Sequence, residues 1–254
     1  MVGKSKASEE GSLNIRLTWL LIFLNVLVFL VVFSAPEAVR TGIFERYALS
    51  QGTATQLWRW VTSMFLHASA SHLFFNMLGL YFFGRIVESQ VKPQWFLSIY
   101  FVGGFLGALS FLFTSTVPVV GASAGIFGLL GAAMLWKPLG RVYFFVFPMP
   151  LSLVAVIFII TESFVAYYQP GFGNVAHIAH IGGLITGSVF AFVNKPSKSM
   201  KGLLWLGLMA VLLVIIAPII EFVADAGQFI LDILDYIIGG ILGIFTWLLS
   251  FLWA

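Results

Sequence analysis

Seven apolar runs of roughly 15–25 residues, each nearly free of charge, leave this chain few folds to choose from. A run of that length in hydrocarbon must satisfy its own backbone hydrogen bonds, and a helix does so within one segment. The runs are too long and too continuous for barrel strands, which alternate and stop near ten residues. Composition agrees. Of the 254 residues, 60% are hydrophobic and 9% charged, against roughly 45–50% and about 25% in soluble chains. So few charged side chains cannot cover that much apolar surface in water. The expected fold class is all-α, a polytopic membrane helical bundle. There is no cysteine, which excludes disulfides and thiolate chemistry. A net charge of +3 points to membrane topology rather than to nucleic acid, and no nucleic-acid partner is expected.

The spans fall at about Leu17 to Ser34, Ser71 to Glu88, Trp95 to Thr114, Ala122 to Trp136, Val142 to Tyr167, His177 to Val193 and Leu203 to Phe222. The fourth is short for a bilayer. A long mixed loop, roughly Ala35 to Leu66, separates the first two. Residues 227–254 are apolar apart from Asp232 and Asp235, and read as either an eighth span or an interfacial helix. The expected division is a cytoplasmic tail (1–16), a six-span core (17–194) and a C-terminal extension (195–254) holding the seventh span and that last segment. Lysine and arginine orient the whole. Lys4, Lys6, Arg16, Arg85, Lys92, Lys137, Arg141, Lys195, Lys198 and Lys201 fall on one side, and only Arg40, Arg46 and Arg59 on the other. That bias sets the N-terminus inside and the long loop outside. No internal repeat marks an inverted-repeat transporter.

Three polar clusters interrupt the spans, and polar groups inside a membrane are costly and usually functional. His72 and Asn76 lie four apart, on one face of span two, with His67 just before it and Ser71 as a candidate helix cap. Ser123 opens span four among Gly121, Gly125 and Gly128, where unpaired backbone N–H groups can stabilise an oxyanion. His177 and His180 open span six, and Gly183 and Gly187 share the face of His180. A glycine face there would press span six against span four and bring His180 beside Ser123. A neutral imidazole in reach of a serine hydroxyl is what nucleophilic catalysis requires. The alternative for each cluster alone is helix packing, with Asn, Ser and Gly joining helices. Convergence of all three at one depth is harder to explain as packing. No metal or other cofactor is expected, because no acid has helical spacing to the two histidines. Glu162, in span five, reads as facing protein or reaching outward to the interface, with a proton-relay role as the less favoured alternative.

Taken together these motifs strongly resemble the rhomboid family of intramembrane serine proteases, from about Trp19 to Phe192. The resemblance rests on Trp58-Arg59 in the first loop, on His67, His72 and Asn76 (H-x4-H-x3-N), on G-x-S at Gly121 to Ser123, and on A-H-x-x-G-x-x-x-G at Ala179, His180, Gly183 and Gly187. It implies a six-span core with at least one further C-terminal span. It implies Ser123 as nucleophile and His180 as general base, a dyad with no carboxylate. It implies an oxyanion hole from Asn76, His72 and the Ser123 N–H. Phe127 would pack on the catalytic ring, Glu88 would be structural, and Trp58-Arg59 would hold the loop. Ala124 stands where the family usually has glycine, with Gly125 after it, and bears on how closely span six approaches. The implied activity is peptide hydrolysis in or near transmembrane segments of membrane proteins. The implied setting is the cell membrane, with the site opening to the extracytoplasmic side. A non-catalytic rhomboid-like protein that binds membrane proteins is the alternative, and a small-solute transporter a more distant one.

Overall fold

The computed structural model describes residues 16–144, 147–168 and 176–250. Residues 1–15 of the expected tail (1–16), with Lys4 and Lys6, and the last four residues lie outside the described part. The helices in chain order are α1 (Leu17–Ser34), α2 (Glu37–Tyr47), α3 (Trp58–Thr62), α4 (Ala70–Gly79), α5 (Arg85–Glu88), α6 (Pro93–Leu112), α7 (Ser123–Trp136), α8 (Leu151–Tyr168), α9 (His177–Asn194) and α10 (Pro196–Ser250). A π-helical turn, Leu80–Gly84, joins α4 to α5, so span two is one helix with a wider turn inside it. Among the described residues, four helical stretches are long and apolar enough to cross a membrane: Leu17–Ser34, Pro93–Leu112, His177–Asn194 and Pro196–Ile219. The fold is an all-α polytopic bundle, as the sequence predicts.

Span five differs from expectation. Its first residues form a two-stranded antiparallel hairpin, β1 (Arg141–Phe144) and β2 (Phe147–Pro150), and the helix starts only at Leu151. The apolar aromatic residues of the hairpin continue the hydropathy of the helix, which hides the boundary. Pro148 and Pro150 mark it, because the residue before a proline avoids the helical region. Beyond α9 the sequence predicts a break near residue 222. The structure instead continues α10 through Pro218 to Ser250, so residues 227–250 are helical without a new start. The described chain forms two compact units, one ending at Leu206 and one starting at Gly207. The second unit consists of the α10 residues from Gly207 onward.

In the first unit α7 is the central element. From Ala124 on, nearly every side chain of its fourteen residues is buried. At about 1.5 Å per residue it is some 21 Å long, short of a hydrocarbon core of about 30 Å. Pro138 follows just past its C-cap and prevents continuation. α6 and α9 pack on α7 through glycines. Side-chain methyls at Gly183 and Gly187 of α9 would collide with the carbonyl oxygens of Ala124 and Gly128 on α7. A methyl at Gly128 would come within 2.9 Å of the Ile99 carbonyl on α6, and one at Gly125 within 2.7 Å of the Tyr100 carbonyl. Each helical glycine costs about 1 kcal/mol of intrinsic propensity, offset here by helix backbones meeting directly.

Glu88 fastens the other end of the bundle. Its carboxylate accepts from the Leu17 N–H and, at 2.8 Å, from the Thr18 hydroxyl. This occupies one unpaired donor at the start of α1 and sets a negative charge at the positive end of its dipole.

Candidate active site

Ser123 begins α7 directly after a turn that only Gly121 can make. Gly121 has φ +114°, a region that side chains disfavour. A methyl there would lie 2.8 Å from both Cε1 and Nε2 of the His72 ring. Gly121 thus lets the backbone turn and lets His72 lie on it. Its N–H donates to the Ser63 carbonyl at 2.9 Å. Just before it, Val119 pairs with Leu49 as an isolated antiparallel bridge. The long first loop therefore holds the approach to the serine.

Arg59 organises that loop. Its buried guanidinium donates to the Glu45 carbonyl at 2.7 Å and the Ala48 carbonyl at 2.8 Å, at the C-terminal end of α2, and to Gln56. Trp58 is exposed. Span two supplies the next pair of site residues. Its first helix is capped by Ser69, whose hydroxyl accepts from the His72 N–H at 3.1 Å. The cap expected at Ser71 is not formed, since Ser71 already lies within α4 and its hydroxyl meets that of Ser69 at 3.0 Å. His72 Nδ1 accepts from the Ala68 N–H at 3.4 Å, so the ring proton belongs on Nε2, the edge that faces Gly121. Asn76 is buried, donates to the His72 carbonyl at 2.9 Å, and has Nδ2 near the same glycine.

His180 lies one turn into α9. Its Nε2 stands 2.8 Å from the Ser123 hydroxyl oxygen. Phe127, one turn past the serine, stacks on the imidazole with ring centroids 4.3 Å apart and planes 2° from parallel. Ala124 does not obstruct the approach of α9. Its carbonyl faces Gly183, while its methyl points to α6, where Gly107 leaves room.

The structure departs from sequence expectation at Glu162. The resemblance implies a histidine without a carboxylate, yet Glu162 Oε2 lies 3.0 Å from His180 Nδ1 and 2.7 Å from His177 Nδ1. All three side chains are about nine-tenths buried. Of the alternatives for Glu162, the structure shows it facing protein, against two histidines of α9. No helical spacing joins Glu162 to the histidines because the contact is tertiary: α8 brings it from 15 and 18 residues away. The one available signal was a carboxylate inside an apolar span, which rarely goes unpaired.

His67 is fully buried beside the site, its ring edge-on to His72 at 5.0 Å. Burial, and after it the neighbouring His72 ring, push its pKa down to about 4.

Fold and site together define a polytopic helical membrane protein with a serine, two histidines and an asparagine gathered around one glycine turn. The chain belongs to the rhomboid family: residues 54–197 match the Rhomboid domain. It is 32% identical over 180 residues to the Rhomboid protease GluP of Bacillus subtilis, covering 67% of this chain and 33% of that protein. It is 25% identical over 192 residues to the Rhomboid protease GlpG of Yersinia pseudotuberculosis, covering 76% and 66%. It is also 35% identical over 138 residues to Inactive RHOMBOID-like protein 8 of Arabidopsis thaliana, covering 52% and 36%. The chain thus spans about a third of the length of two of these relatives. The family includes members named proteases and members named inactive.

Proposed function

We propose that the protein is an intramembrane serine endopeptidase with Ser123 as nucleophile and His180 as general base. The observation that carries this reading is the 2.8 Å contact from His180 Nε2 to the Ser123 hydroxyl, with the ring held flat by Phe127. Ser123 Oγ attacks the scissile carbonyl carbon while its proton passes to His180 Nε2. The carbonyl oxygen becomes an oxyanion and is met by the Ser123 N–H, Asn76 Nδ2 and His72 Nε2–H, all near Gly121. Collapse breaks the C–N bond, and His180 gives its proton to the leaving amine. Water then attacks the acyl ester and passes its proton to Nε2, and the ester oxygen takes that proton back as the acid leaves.

Water must reach Ser123, so the site opens to an aqueous cavity. The excess of lysine and arginine on the N-terminal side supports an opening on the extracytoplasmic face of the cell membrane. The substrate is a membrane-spanning protein. A helix must unwind locally before its carbonyl fits the site, since helical carbonyls are already bonded. Cuts are therefore expected near glycine, proline or polar residues.

The purified protein, in liposomes with a single-span substrate, is expected to cleave it and to be labelled by a fluorophosphonate at Ser123. Ser123→Ala and His180→Ala each abolish both signals. Cleavage that persists in Ser123→Ala sinks the reading. The similarity to a relative named inactive supports the alternative of a binding-only protein. Absence of cleavage and labelling in folded wild-type protein would favour it.

A further inference from the structure

Glu162 is the one charged residue of the apolar helical stretch Leu151–Phe164, where an unused acid is costly. It is not spread among solvent contacts. One oxygen, Oε2, meets Nδ1 of both His177 and His180, at 2.7 and 3.0 Å. A neutral imidazole carries one N–H, and an ionised carboxylate only accepts. A carboxylate at Nδ1 therefore fixes the proton there and leaves Nε2 with its lone pair facing the Ser123 hydroxyl 2.8 Å away. That is the tautomer a general base requires, and packing by Phe127 cannot select it, because a stacked ring holds either tautomer equally well.

We propose that Glu162 is a positioning residue for the reaction, completing a Ser123–His180–Glu162 relay; this inference rests on the serine-protease reading above. When Ser123 Oγ bonds to the substrate carbonyl carbon, its proton moves to Nε2 and the ring becomes an imidazolium. The Nδ1 proton stays on the ring, and Glu162 balances the new charge from 3.0 Å. His177 uses its own Nδ1–H to hold Oε2 in place and does not approach the serine. The three donor atoms lie within 4.8 Å of one another, which also admits a metal ion. The distances favour hydrogen bonds. Around a tetrahedral zinc with bonds of about 2.0–2.2 Å, donors stand roughly 3.3 Å apart, and here both contacts to Oε2 are shorter.

The test compares wild type with Glu162→Gln and Glu162→Asp. Glu162→Gln is expected to lower kcat by about 10²- to 10⁴-fold with KM changed by less than about twofold. Its acidic limb in kcat/KM against pH moves to lower pH, because the imidazolium loses its counter-charge. The other titratable groups that face His180 are His177 on its own helix and His72 from α4, and both are retained in the variant. Glu162→Asp recovers part of the rate. A Glu162→Gln protein with wild-type kcat, or one whose rate falls without any shift of the limb, overturns the proposal. A second measurement does not depend on cleavage. Ring-¹⁵N spectra of the four histidines, assigned with His180→Ala, should show His180 protonated at Nδ1 in wild type and as a tautomer mixture in Glu162→Gln. Identical His180 signals in both proteins overturn the proposal even if no substrate is cut. Stoichiometric zinc in the purified protein, with cleavage or fluorophosphonate labelling altered by its chelation, overturns it in favour of a metal site.

Discussion

The two sides of His180 are held by different means. On the α7 side, Gly183 and Gly187 bring backbone against backbone, with no side chain between α9 and the carbonyls of Ala124 and Gly128. On the α8 side and the loop side, side chains do the joining: Glu162 across to two histidines, Phe158 edge-on to Phe127 at 5.8 Å, His72 laid on Gly121, and Arg59 on the carbonyls of α2. The difference teaches how a helical bundle separates rigidity from adjustability. Backbone contacts at a glycine seam cannot repack, so the distance from serine to histidine is fixed by the fold. Side-chain contacts on the flanks can be exchanged one at a time, so ring orientation and proton placement are set there.

The strongest way to break this comparison is to fill the seam. Gly187→Leu would drive a side chain into the Gly128 carbonyl, and neither backbone can yield. The expected result is a loss of more than about 4 kcal/mol, seen as the disappearance of a cooperative thermal transition. If Gly187→Leu melts like wild type, the seam is not rigid.

The loop flank should respond to pH rather than to bulk. His67 has a folded pKa of about 4, below its ordinary 6.5. The unfolded chain therefore binds a proton that the folded protein refuses across that window. Stability from this residue is fully present above pH 6.5 and falls by about 3 kcal/mol as the pH drops to 4. Chemical denaturation at several pH values, in wild type and His67→Phe, should give curves that diverge only below pH 6.5. Parallel curves would mean that His67 titrates normally.

On the α8 flank, Phe158→Ala removes a half-buried ring and its edge contact to Phe127. A loss of about 1–2 kcal/mol is expected, with fluorophosphonate labelling slowed but not abolished. Labelling as fast as wild type would show that Phe127 holds the His180 ring without support from α8.

The smallest effect is expected at Ala124→Gly. The Ala124 methyl sits in space left by Gly107, away from α9, and Ala124 is only the second residue of α7, so the loss is chiefly one buried methyl, about 1 kcal/mol. A large gain in activity would show that the methyl strains the seam after all.

The sequence made legible whatever is carried by local spacing. His72 and Asn76 share a helical face, Gly183 and Gly187 share the face of His180, and a serine after a glycine turn opens a short helix. Each of these is a statement about neighbours within two turns. Glu162 was not legible in this way, because its partners belong to another helix and only the packing of α8 on α9 brings them together. The hairpin at Arg141–Pro150 was missed for a related reason. Its aromatic residues satisfy a hydropathy window as well as a helix does, and the two prolines that exclude the helix weigh little in an average. The unbroken course of α10 through Pro218 shows the reverse, a residue with strong local meaning overridden in context.

The π-helical turn at Leu80–Gly84 fits one more residue into span two than an α-helix would hold. Each helical residue rotates the following chain by about 100°. The turn thus absorbs a residue while keeping the phase between two appointments on one helix: His72 and Asn76 toward Gly121, and Glu88 toward the first residues of α1. Deleting a single residue inside the turn should leave a regular helix with both ends still facing their partners. A deletion in α4 would instead rotate one end away by about 100°, so the turn is the place where this span best tolerates a change of length.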